Sequence, residues 1–158
     1  MATIIIGIGN PVLTDDSVGL QVVRQLRNML SSNPDIVTRE LCAGGLRLVE
    51  AMAGYERAII IDAIVSEGGH PGAVCILGPS DLKASKNTCC THDARLREAL
   101  ELGKMAGLRL PEEIRIWAIE AGDVETFSEG LTPEVRQAVP GVVDSVARHL
   151  AANRSLPA

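Results

Sequence analysis

Aromatic side chains are scarce: Tyr55, Trp117 and Phe127 are the only three in 158 residues. Modules that bind nucleic acid by stacking bases on aromatic rings need more of them. Positive charge is in short supply too, with 15 Lys and Arg against 20 Asp and Glu and a formal net charge of −5. A phosphate backbone is held by clustered cations, so this balance argues against a nucleic-acid partner. No apolar run approaches the roughly 20 residues that a membrane helix needs. The short run Thr3–Ile8 has neither a basic leader nor a small-residue cleavage site, so no signal peptide is expected. Four cysteines, at 42, 75, 89 and 90, are too few for a disulfide scaffold. These absences point to a cytoplasmic protein with reduced thiols and with neither nucleic acid nor membrane as partner.

What is present is aliphatic. Hydrophobic residues make up 46% of the chain, so the core must come from Ile, Val, Leu and Ala. The length suits one compact domain over residues 1–150, with 151–158 as a frayed tail. Short runs rich in β-branched residues at Thr3–Ile8, Ile36–Leu41, 58–61, 73–77 and 114–119 read as strands. Helical spacing relates Val18, Val22, Leu26, Met29 and Leu30, then Leu46, Val49 and Met52. A helix over 93–106 carries Leu96, Leu100 and Gly103, and a last one carries Val135, Val139, Val142, Val143, Val146 and Leu150. Gly107 has the place of a C′ residue, and Thr132-Pro133 reads as an N-cap followed by a first-turn proline. Such alternation implies a three-layer α/β sandwich around a mostly parallel sheet. Residues 63–72 are too short for a helical crossover, so the third and fourth strands are expected to pair antiparallel, making the sheet mixed.

In open α/β sheets, ligands bind where strands end and helices begin. The first strand opens into Gly9-Asn10-Pro11-Val12-Leu13-Thr14-Asp15-Asp16-Ser17. A dinucleotide fingerprint would need glycine where Val12 stands, and Pro11 removes an N–H from the loop that would cradle a pyrophosphate. Asp15 and Asp16 are ordinary helix-capping residues by type, but one aspartate suffices for a cap and its neighbour points elsewhere. Asp62 is expected to end the 58–61 strand at the same sheet edge. Of the three histidines, His70 lies in a polar turn and His149 near the end of the last helix. His92, in Cys89-Cys90-Thr91-His92-Asp93, starts a helix and is the one placed to meet the acids. Two carboxylates and an imidazole suit nickel, zinc or a related divalent ion. The motifs H-E-x-x-H and G-x-S-x-G are both missing. A Cys89 or Cys90 nucleophile is disfavoured, because the base for a catalytic thiol is fixed by tertiary structure rather than by adjacency in a loop.

Taken in order, several segments resemble the nickel–iron hydrogenase maturation endopeptidases. They are Gly7-Ile8-Gly9-Asn10, Leu13 to Gly19, Gly44-Gly45, Ile59-Ile60-Ile61-Asp62-Ala63, Thr91-His92-Asp93 and Gly130 to Val135. The resemblance implies a five-stranded, twisted, mostly parallel (mixed) sheet flanked by helices, phosphorylase/hydrolase-like. It also implies an endopeptidase that removes the C-terminal extension of a nickel-loaded hydrogenase large-subunit precursor. Carried over by position, the metal-contacting and catalytic residues are Asp16, Asp62 and His92, with Asn10, Gly44 and Gly45 against the substrate. Many members have Asp-Gly-Gly where this chain has Cys42-Ala43-Gly44-Gly45. Nickel is then supplied by the substrate, with no tightly held resident metal and no other cofactor. Either the ion activates a water, or an aspartate acts as base while the ion positions the peptide. Two rivals remain at this point: a non-catalytic module that checks the precursor for nickel, and a peptidyl-tRNA hydrolase-like esterase, which shares the Gly-x-Gly-Asn-Pro turn.

Overall fold

The computed structural model describes residues 2–81, 88–89 and 96–154. In chain order the elements are β1 (Thr3–Ile8), a 3-10 turn (Thr14–Ser17), α1 (Val18–Leu30), β2 (Ile36–Leu41), α2 (Leu46–Met52), β3 (Arg57–Ser66) and β4 (Val74–Leu77). Then come β5 (Thr88–Cys89), α3 (Leu96–Met105), β6 (Glu113–Glu120) and α4 (Pro133–Arg154). The main sheet has the order β2-β1-β3-β6-β4, and β5 attaches to the end of β3. β1 runs parallel to β2 and β3, β3 runs parallel to β6, and β4 is antiparallel to β6.

The mixed, mostly parallel sheet agrees with the sequence, but one pairing does not. β4 is antiparallel to β6 and not to β3, because β6 lies between them. Residues 67–73 cross over one strand, a gap of about 10 Å that a chain extending about 3.3 Å per residue spans easily. β3 also runs four residues beyond Asp62, to Ser66. Asp62 is therefore inside a strand and not at its end. It pairs with Ala118 of β6, after β1 has left the β3 register at Gly7↔Ile61.

Side chains alternate across the strands, and the two faces carry separate aliphatic cores. Ile4, Ile6, Ile8, Ala58, Ile60, Ile64 and Ile116 pack with Leu48, Val49 and Met52 of α2 and Leu96 and Leu100 of α3. On the opposite face Ile5, Ile59, Ile61, Trp117 and Ile119 pack with Val18, Val22 and Leu26 of α1 and Val135, Val139, Val142 and Val146 of α4. In α1, Val23 is in the core and Leu30 packs against it half-buried, while Met29 is 52% exposed, so Val23 takes the place in the stripe expected for Met29.

α3 stops as its sequence indicates. Gly107 takes φ +76°, its N–H donates to Lys104 O at 3.0 Å, and Leu108 N–H donates to Gly103 O at 3.0 Å. That is the paired closure of a Schellman C-terminus. α4 continues through Arg154, so 151–154 prolong the helix where a frayed tail was expected, and 155–158 lie outside the described residues. Among the described residues, no helix is long and apolar enough to cross a membrane.

Candidate active site

The connection from α1 leads out to β2 on one side of β1, and β3 lies on the other. The carboxyl ends of β1 and β3 thus flank the point where the winding reverses, where open α/β sheets form their ligand crevice. Glycine brings the turn after β1 into that crevice. A Cβ on Gly9 would lie 1.9 Å from Asp16 O, and one on Gly19 would lie 2.3 Å from Ile61 O and 2.6 Å from Ile8 O. No side chain fits at either position, so the 3-10 turn and the start of α1 sit directly on β1 and β3, next to Asp62.

Within the turn the two adjacent aspartates have different duties. Asp15 has no exposed surface. Its Oδ2 accepts hydrogen bonds from Gly122 N–H (2.8 Å), Asp123 N–H (3.0 Å) and Thr132 Oγ1–H (2.7 Å), and its Oδ1 accepts one from Thr132 N–H (2.8 Å). Asp15 is therefore not a cap for its own helix. It fastens the loop after β6 and the entrance of α4 to the turn that carries Asp16. Thr132, expected as a cap for α4, turns its hydroxyl proton to Asp15.

Asp16 is 9% exposed, and its Oδ2 accepts Asn10 N–H at 2.9 Å. Among the described residues its Oδ1 has no hydrogen-bond partner. The carboxylate is thus anchored through one oxygen. Asn10 is committed to the turn, since its Oδ1 accepts Val12 N–H at 3.1 Å in an Asx-type closure. Thr14 has φ +35°, which a β-branched residue rarely adopts. It is held there by Thr14 N–H to Ser128 O (2.9 Å) and Thr14 Oγ1–H to Thr126 O (2.5 Å). Backbone outliers of this kind persist only where the surroundings over-determine them, and they cluster at functional sites.

Asp62 is fully buried, not open at the sheet edge as expected, and its Oδ1 accepts Ala63 N–H at 2.9 Å. The reason is its interior position in β3, on the face shared with Ile60 and Ile64. His92, with Cys90, lies outside the described residues. Among those described, no three of His, Cys, Asp and Glu are grouped closely enough to hold a metal ion. Gly44 and Gly45 are half-buried in the loop after β2. That loop borders the Asn10 turn, because Gly9 N–H donates to Leu41 O at 3.0 Å. Gly45 has φ +62°, and a Cβ there would meet nothing within 4 Å, so its α-carbon faces open space.

The structure adds a carboxylate that sequence reasoning passed over. Glu120, at the carboxyl end of β6, is 5% exposed and accepts Ser66 N–H at 2.7 Å together with the Ser66 hydroxyl. Its sequence signal was an apolar run closed by an acid, the same pattern that drew attention to Asp62. His70 is exposed as expected. His149 lies at the opposite edge of the sheet, its ring edge-on to Trp117 at 5.3 Å.

The fold is that of a known class. The hydrogenase maturating endopeptidase HybD from Escherichia coli superimposes with a TM-score of 0.76 at 24% identity, covering 97% of this chain and 94% of the other. The [NiFe] hydrogenase maturation protease HybD from Thermococcus kodakarensis gives a TM-score of 0.73 at 26% identity, over 96% and 99%. In sequence, the hydrogenase 2 maturation protease of Escherichia coli (strain K12) is 29% identical over 150 residues, spanning 92% of this chain and 88% of that one. Residues 20–149 match the family model for hydrogenase maturation proteases (HycI), and the chain belongs to that family. It is a peptidase, which sets aside both the non-catalytic module and the peptidyl-tRNA hydrolase-like esterase.

Proposed function

We propose that the protein is the endopeptidase that removes the C-terminal extension of a nickel-loaded hydrogenase large-subunit precursor, with Asp16, Asp62 and His92 taking the substrate's nickel. One observation carries this reading. Asp16 is fixed by a single bond from Asn10 N–H, while its adjacent twin Asp15 accepts four. A carboxylate anchored through one oxygen, at the reversal point of the sheet, is placed to give the other oxygen to a cation. Hard carboxylate oxygens with an imidazole make a donor set acceptable to nickel. The ion arrives as part of the substrate, so ligation by these residues both tests for metal and orients the scissile peptide. Nickel-borne positive charge near the carbonyl favours attack by water. The glycines at 44 and 45 leave room for the substrate backbone. We place the reaction in the cytoplasm, in keeping with the exposed free thiols of Cys42 and Cys75.

The burial of Asp62 adds a requirement. With no exposed surface in the free protein, it meets an ion only after the chain around it opens, and docking of the precursor supplies that opening. The free protein is therefore expected to hold no stoichiometric nickel, as read by equilibrium dialysis. The decisive experiment incubates nickel-loaded and nickel-free precursor with wild type and with Asp16→Asn, followed by mass spectrometry of the precursor's C-terminus. Cleavage is expected only for loaded precursor with wild type, and Asp16→Asn is expected to lose at least about 100-fold in rate. Equal cutting of nickel-free precursor, or full activity in Asp16→Asn, overturns the assignment.

A further inference from the structure

Phe127 is the chain's only phenylalanine, and it is 82% exposed. The other aromatic residues do ordinary work: Trp117 is 1% exposed in one core, and Tyr55 packs against the other. A solitary exposed ring needs no explanation by itself. What distinguishes this one is how its backbone is held. Both of its neighbours are fastened to the segment leading into Asp16. Thr126 O accepts the Thr14 hydroxyl at 2.5 Å, Ser128 N–H donates to Val12 O at 2.9 Å, and Ser128 O accepts Thr14 N–H at 2.9 Å. Upstream, Asp123 Oδ1 accepts the N–H groups of Glu125 and Thr126, each at 2.9 Å. The ring thus projects from backbone that is ordered before any partner arrives, and little ordering cost remains to be met on binding. Val12, 42% exposed, stands on the strand of chain bonded to it. A polar groove of about 470 Å³, lined by Pro11, Ser17, Gln21, Arg24, Gln25 and Glu129, continues from the same two loops.

We infer that Phe127, supported by Val12, is the apolar anchor by which this peptidase seats the folded body of its protein substrate beside Asp16. The inference rests on the function proposed above and names the docking element for that site. An aromatic anchor with a polar surround is the usual composition of a binding hot spot. Two apolar side chains fall well short of the roughly 800 Å² per partner of a stable interface, which suits a substrate that is released after cleavage and not a lasting dimer. A second copy seated here would also cover the edge that the substrate has to reach. A bilayer is disfavoured by the exposed Glu125 and Glu129 on either side of the ring and by the net charge of −5, which anionic lipid repels.

The test measures binding and cleavage separately, using the intact protein and nickel-loaded precursor. Phe127→Ala is expected to weaken precursor binding by about tenfold or more, with Phe127→Leu restoring most of the loss. KM should rise in step, while kcat at saturating precursor and the melting temperature stay at wild-type values. Equal affinity of wild type and Phe127→Ala overturns the anchor, as does a fall in kcat at unchanged KM. A concentration-dependent dimer in sedimentation that Phe127→Ala abolishes overturns it too, by assigning the ring to self-association. If wild type binds the precursor through Phe127 yet leaves its C-terminus intact, the anchor stands and the cleavage assignment falls.

Discussion

The two edges of the sheet treat charge in opposite ways. At the amino edge, where β3 and β6 begin, Arg57, Glu113, Arg115 and His149 are all partly exposed. They meet as pairs: Arg57–Glu113 at 3.5 Å, Arg115–Glu113 at 3.3 Å and His149–Glu113 at 3.6 Å. Toward the carboxyl edge Asp15, Asp16, Glu120 and, four residues inside the end of β3, Asp62 are all 9% exposed or less. The donors to Asp15 and Glu120 there are backbone N–H groups and hydroxyls. At the amino edge two arginines share the one Glu113 carboxylate in partly exposed pairs, which contribute little to stability. At the carboxyl edge, backbone and hydroxyl dipoles hold Asp15 and Glu120 in place. Among the acids of that edge Asp16, held through one oxygen only, is one that the proposed function gives to a cation. The amino edge closes the sheet, and on the function proposed above the carboxyl edge is the one that meets the substrate.

The largest effect that separates these roles lies within the aspartate pair. Asp15→Ala leaves four donors around residues 122, 123 and 132 without their acceptor. Stability in urea is expected to fall by about 3 kcal/mol or more, since bonds to a charged group contribute about 1.5–3 kcal/mol each and orphaned buried donors add their own cost. Asp16→Ala loses one such bond, from Asn10, and is expected to cost no more than about 1.5–3 kcal/mol, less than Asp15→Ala, while abolishing processing. Equal destabilisation by the two variants breaks the division between staple and ligand.

Glu120 ranks next. Its carboxylate ties Ser66 and fills the space where a Cβ on Gly69 would lie, 2.2 Å from Oε1. Glu120→Ala is expected to cost about 1–3 kcal/mol by leaving Ser66 N–H unpaired. Amide exchange over residues 66–73 should rise with it, as measured by hydrogen-exchange mass spectrometry. If protection in that turn does not change, Glu120 is held by the turn and does not hold it.

Much of this was legible in residue type and spacing. β-branched runs gave β1 and β2 to the residue, Gly107 marked the end of α3, and the adjacent acids announced that only one was needed for structure. Type and spacing did not say which one, and only the family resemblance singled out Asp16. Asp15 is the staple because Thr132 reaches it across 117 positions, and nothing local encodes that meeting. β3 was read short because an acid interrupts the apolar run at 62, yet Ala63, Ile64 and Val65 continue the strand through pairing to β6 and β5. The placement of β6 between β3 and β4 is a choice of tertiary packing that a short connection permits but does not specify. The clamp of 126–128 on 12–14 involves no motif at all, so the docking surface could not be located before the fold was known.

The smallest effect tests the amino edge by itself. Burial lowers the pKa of His149 below its ordinary 6.5, with Glu113 opposing and Arg115 and Arg57 reinforcing the shift. The folded protein therefore binds this proton less readily than the unfolded chain, and stability rises with pH between the two pKa values. The contribution is complete above pH 6.5 and is lost as the pH falls through the folded-state value. His149→Gln is expected to flatten that stretch of a melting-temperature profile while leaving the pH dependence of precursor processing unchanged. The ring touches Trp117 and Asn153, far along the strands from Asp16. A shift in the processing profile would mean that protonation at one edge reaches the other through β6, and the two edges would then have to be treated as one electrostatic unit.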